Sequence, residues 1–229
     1  MAQPKTLPLV FVEEGALGAA GLDKRTAQWA AANGFDGQRG RLLALPAEAG
    51  GLAGYLFGTG PAADRPALVA GLAAAALAPG RYRLEGALGD AGLAALGFRL
   101  GAYRFDRYKA GKTAPELVLP KGADAAEVAR LADAAYLARD LINTPSNDLG
   151  PAAFEKAIRA FATAHRMKAR AVVGDDLLRQ NFPMIHAVGR ASAEAPRLLD
   201  LSWGRAGDPK VTLVGKGVTF DTGGLDIKS

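Results

Sequence analysis

Gly215-Lys-Gly-Val-Thr-Phe-Asp221-Thr-Gly-Gly-Leu-Asp-Ile-Lys228 places two lysines and a carboxylate among glycines, directly after the apolar run 210–214. A glycine-rich turn after a buried strand lets several side chains converge at the strand's carboxyl end, where ligands gather in α/β proteins. The stretch therefore points to a site at a strand tip. Lysine is a poor metal ligand while protonated, but a bound dication and a desolvated setting both disfavour its charge. Asp221 adds hard oxygen, suited to zinc, manganese or magnesium. A metal held there can activate a water and polarise a carbonyl, as hydrolysis requires.

Other motifs fit the stretch less well. A phosphate-cradling loop needs glycine five residues before Gly215 and Ser or Thr after Lys216, but those positions are Lys210 and Gly217. A dinucleotide fingerprint beginning at Gly215 would need glycine where Phe220 stands. The bland alternative is a strand followed by a turn with solvated lysines.

The order lysine, aspartate five residues on and lysine seven further on resembles the signature of the leucyl aminopeptidase family, the M17 metallopeptidases. Three more segments carry the likeness in the family's order: Gly101-Ala-Tyr-Arg-Phe-Asp-Arg-Tyr-Lys109, Arg139-Asp-Leu-Ile-Asn-Thr-Pro-Ser-Asn-Asp-Leu-Gly-Pro151, and Ala187-Val-Gly-Arg-Ala-Ser192 with Pro196-Arg-Leu-Leu-Asp-Leu201. The resemblance implies that Lys216 is a metal ligand, that Asp221 contacts both metals, and that Lys228 is the catalytic lysine steadying the carbonyl or the tetrahedral intermediate. Asp226 and Ser229 stand where the family commonly has serine and proline.

By the same resemblance the cofactors are two divalent ions, Mn2+ or Zn2+, the substrates are peptides with a free amino terminus, and the assembly is a hexamer. The implied fold is α/β: a small amino-terminal domain of macro-like type over 1–110, a linker and interdomain helix over 111–145, and the start of a metallopeptidase catalytic domain with a mixed central sheet over 146–229. The family's second motif, with further carboxylates and an arginine, would follow Ser229. The chain thus reads as a fragment of an enzyme, expected to be inactive by itself. A ligand-binding or regulatory module built on the amino-terminal domain is the competing reading.

Composition is compatible with this. The 229 residues are 49% hydrophobic and 22% charged, enough for one large or two small cores. Cysteine is absent, which excludes disulfides and thiolate sites. His165 and His186, the two histidines, read as surface or strand-end residues rather than ligands. The net charge of +5 is spread out, densest at Arg81, Arg83, Arg99, Arg104 and Arg107 with acids interleaved, so a nucleic-acid face is not expected. No stretch reaches transmembrane length and the start lacks the order of a secretory signal, so a cytoplasmic protein is expected.

Apolar runs at 7–12, 41–45 and 82–84 predict strands, and the alanine-rich 66–78 a helix. The turn-rich 110–115 is a linker candidate. Asp124 and Glu127 form a capping-box pair ahead of a helix predicted to end near Asn143, because Pro145 disfavours its continuation. Pro151 suits a first helical position, with Phe154, Ile158 and Phe161 along one apolar face. Strands are predicted over 169–173, 197–203 and 210–214, the last two as a hairpin through 204–209.

Overall fold

The computed structural model describes residues 5–111 and 113–219. The chain forms two units, Met1–Asp140 and Leu141–Ser229.

The first unit is built on β1 (Thr6–Glu13). On one side β3 (Leu52–Gly60) pairs with it in parallel, and β2 (Leu42–Pro46) runs antiparallel outside β3. On the other side lie β4 (Arg81–Gly86) and β5 (Glu116–Val118), both parallel, giving a mixed five-stranded sheet in the order β2-β3-β1-β4-β5. Strand side chains alternate between faces, and both faces of β1 are used. Leu9 and Phe11 pack with α2 (Ala70–Ala76) and α3 (Ala91–Ala102), whereas Val12 packs with Ala30 of α1 (Lys24–Ala32). Helices on both faces are the usual partner of a largely parallel sheet, since its strands are apolar on both sides. The α/β class is the one the sequence predicts. Burial among these residues pushes the Tyr82 phenol up to about 12, and its hydroxyl donates to the Ala78 carbonyl at 2.9 Å.

The strands expected over 7–12, 41–45 and 82–84 are present as β1, β2 and β4. The sequence does not predict the internal strand β3, because Gly54, Gly58 and Gly60 punctuate it like a loop. Gly54 and Gly58 are there for want of space, and Gly60 has a positive φ of 78°. A Cβ at Gly54 would lie 2.7 Å from Pro8 of β1, and one at Gly58 would overlap the Gln38 carbonyl oxygen. Residues 110 and 111, together with 113–115, lead from α3 into β5 of the same sheet. Asp124 caps α4 (Ala125–Asn143), its Oδ1 accepting from the amides of Ala126 at 2.9 Å and Glu127 at 3.1 Å. Only half of the capping box forms, since the Glu127 carboxylate pairs with Arg130 at 2.6 Å instead.

In the second unit α5 (Pro151–Ala164) has proline at its first turn, as expected. It precedes β6 (Lys168–Val173), α6 (Asp176–Arg179), α7 (Pro183–Gly189) and β7 (Arg197–Ser202). The strands β6 and β7 pair antiparallel from Lys168↔Ser202 to Val173↔Arg197.

The strand expected over 210–214 is absent. These residues are irregular, with Val211 81%, Leu213 92% and Val214 93% exposed. The turn before them does form, with the Asp208 carboxylate accepting from the Arg205 amide at 2.8 Å. Strands gain stability from a ladder partner and a covered face, and the described residues give 210–214 neither.

Candidate functional site

Of the candidate residues, Lys216 is described, and it follows β7 along the chain. Beyond Ser202 the chain turns at 205–208, runs exposed through 210–214 and reaches Lys216, which is itself exposed and makes no ion pair or hydrogen bond among the described residues. A Cβ at Gly215 would meet nothing within 4 Å. Two residues later the chain, still exposed, comes near α5: the three atoms nearest a Cβ at Gly217 belong to the Phe154 ring, at 2.8, 3.5 and 3.8 Å. Asp221 and Lys228, the other two candidates, lie outside the described residues.

The helix that carries Phe154 is tied down on both sides of it. Glu194, in the approach to β7, accepts from the Ala152 amide at 2.7 Å and so satisfies a first-turn donor that no helix carbonyl can reach. Glu155 accepts from Arg159 Nε at 2.7 Å and from Arg197 Nη1 of β7 at 2.7 Å, with the Glu155 and Arg197 side chains 15% and 14% exposed. The Arg159 guanidinium, and then that of Arg197, hold the Glu155 carboxyl below its ordinary value. A carboxyl lowered on folding contributes stability above its ordinary pKa, and that contribution is lost as pH falls through the lowered value. Glu155→Gln is therefore expected to lower the melting temperature near neutrality and to flatten its decline from about pH 5 downward, measured by thermal melts across acid pH. An unchanged acid limb would remove this pair from the account.

Among the described residues no three His, Cys, Asp or Glu side chains are grouped so as to hold a metal. His186 Nε2 lies 3.2 Å from Asp175, and the His165 ring packs on Phe161 at 4.3 Å, so both histidines are engaged in local contacts. Lys216 makes no ion pair among the described residues, but its exposed amine has none of the desolvation that favours a neutral nitrogen, and by itself it is no centre.

In the first unit, the carboxyl ends of β3, β1 and β4 meet where the connections leave in opposite directions, the usual ligand crevice of an open α/β sheet. Here Arg65 spans it, donating to Glu13 Oε1 at the end of β1 and to the Ala87 carbonyl after β4, both at 3.0 Å. A ligand would have to displace that guanidinium. A separate cleft of about 860 Å³ includes Tyr103, Arg104, Asp106, Glu116 and Tyr136 in its lining. Its polar groups are partly spent on one another or on backbone: Arg104 donates to the Tyr103 carbonyl at 2.8 Å, and the Tyr136 hydroxyl to that of Arg99.

Residues 7–120 match the M17 aminopeptidase N-terminal domain, and residues 136–229 match the catalytic domain of the cytosol aminopeptidase family. The chain belongs to the M17 cytosol aminopeptidase family. A probable cytosol aminopeptidase of Rhodococcus jostii is 39% identical over 157 residues, taking in 61% of this chain and 31% of the relative. The crystal structure of the Coxiella burnetii cytosol aminopeptidase superposes on the whole chain with a TM-score of 0.85 at 35% identity, this chain covering 51% of it. A bottromycin maturation enzyme solved with manganese matches 87% of this chain and 45% of its own, at 29% identity and a TM-score of 0.72. This M17 chain thus spans about half the length of the solved relatives it matches. Among its described residues no helix is long and apolar enough to cross a membrane.

Proposed function

We propose that the polypeptide carrying this chain is a metal-dependent aminopeptidase that removes amino-terminal residues, leucine among them, from peptides. The observation that carries the reading is the Lys216, Asp221 and Lys228 spacing, which falls inside the segment matched to the catalytic domain of the cytosol aminopeptidase family. Lys216 and Asp221 are the proposed ligands of two divalent ions, manganese or zinc. The manganese in the bottromycin enzyme supports that choice. Such ions, when bound, supply Lewis acidity to a water and to the scissile carbonyl. The ammonium of Lys228 is proposed to hold the developing negative charge on the substrate oxygen, a role worth most in a dry and preorganised pocket. A hexamer in the cytoplasm is the proposed setting, the location supported by the name cytosol aminopeptidase carried by the relatives.

On their own the 229 residues are expected to be inactive. Lys216 and Asp221 are two candidate ligands, and a pair of dications needs a fuller set of deprotonated donors to be held and balanced. The test is hydrolysis of leucine amide by the whole polypeptide after chelation and after return of manganese or zinc. Release of leucine that is lost on chelation and restored by metal is the expected result. Failure with every metal and every amino-terminal residue tried would sink the enzyme reading and leave a binding module.

A further inference from the structure

We infer that Phe154 is a positioning residue for the Lys216 loop: its ring seats the backbone at Gly217 and thereby fixes where the lysine amine is presented. The inference rests on the reading of Lys216 as a metal ligand. After β7 the chain passes over open ground, with Leu213 92% and Val214 93% exposed and nothing within 4 Å of a Cβ at Gly215. The ring comes near at Gly217, where a Cβ would stand 2.8 Å from Cε1; Gly217 is still exposed and Val218 is 51% exposed, and Thr219 is then half-buried. Lys216 is the residue immediately before this contact.

A seat is useful only if it is itself fixed. Phe154 stands between Ala152, whose amide is held by Glu194 at 2.7 Å, and Glu155, held by Arg197 of β7 at 2.7 Å. The helix that receives the loop is thus tied at Glu155 to the strand that launches it and at Ala152 to the approach to that strand, with Phe154 as the receiving face. Glycine at 217 is what the seat requires, since any side chain there would press on the ring. Groups that orient a metal ligand without touching the metal are worth about 10–100-fold in metal affinity.

The absence of cysteine allows a direct test in the 229-residue chain without any metal. A nitroxide placed through Val218→Cys should give a restricted spectrum, and adding Phe154→Ala should make it mobile, while Phe161→Ala, farther along α5, should leave it restricted and circular dichroism should show the helix retained. Gly217→Ala should also mobilise the label, and Phe154→Leu added to Gly217→Ala should restore restriction by removing the atom the new methyl meets. A label already mobile in the parent chain, or one indifferent to Phe154→Ala and Phe154→Leu, would overturn the inference. In the whole polypeptide, calorimetric titration with manganese should show a Kd raised about 10–100-fold by Phe154→Ala. Equal affinity in parent and variant would overturn the positioning role. No manganese binding by the parent, with the spin-label result intact, would overturn instead the reading of Lys216 as a ligand and with it the functional consequence drawn for Phe154.

Discussion

Lys228→Ala in the whole polypeptide should lower kcat for leucine-amide hydrolysis by about 10²–10³-fold, the usual cost of losing one group aimed at the charge that develops in an acyl-transfer transition state. Manganese affinity should stay at the parent value, because the proposed role of Lys228 is toward substrate oxygen and not toward metal. Asp221→Ala should behave in the opposite way. A carboxylate proposed to contact both ions balances charge as well as donating oxygen, so its removal should empty the centre and bring hydrolysis down to the metal-free level. Metal content after gel filtration, set beside steady-state kinetics, separates the two. If Lys228→Ala lost metal and Asp221→Ala kept it, the proposed roles would be reversed; if neither changed kcat, the motif would not be the site.

The proposed roles follow from the resemblance of the motif to the family's signature, and a motif reaches only so far into structure. Segments whose residues state their own geometry were readable: Asp124 before a helix, Pro151 at a first turn, the apolar runs of β1 and β4. The strand β3 was not, because the reason for Gly54 and Gly58 is the backbone of Pro8 and Gln38, distant in sequence and close in space. The opposite holds at 210–214, where Val211, Leu213 and Val214 have the composition of a strand but, among the described residues, no neighbour to pair with. In the candidate site, Lys216 could be singled out from its motif. Phe154 could not, since an aromatic residue on a helix face at helical spacing reads as core, and only the approach of Gly217 gives it another role.

The largest expected effect on stability lies at the contact between α2 and α3. Gly101→Ala should cost a net of about 2 kcal/mol and lower the melting temperature of the protein by about 4–8 °C. A Cβ at Gly101 would overlap the Gly71 carbonyl, a Cβ at Gly71 would lie 2.8 Å from the Gly97 carbonyl oxygen, and one at Gly97 would lie 2.9 Å from that of Leu68. The obstacles are backbone atoms, so no rotamer change relieves them and the helices must part. Parting them opens the core where Ala70, Ala73 and Ala74 meet Phe98 beneath Leu9 and Phe11. Overpacking of this kind costs about 1–3 kcal/mol and more where backbone must move; against it, alanine gains about 1 kcal/mol over glycine in helix propensity. The clash wins, and Gly101→Leu, with no comparable gain and far more volume, should leave the first unit unfolded. Gly18→Ala supplies the control, since a Cβ there would meet nothing within 4 Å, and it should melt within about 0.5 kcal/mol of the parent. Were Gly101→Ala to melt alongside Gly18→Ala, the close approach of α2 and α3 would not be what holds this face of the sheet closed.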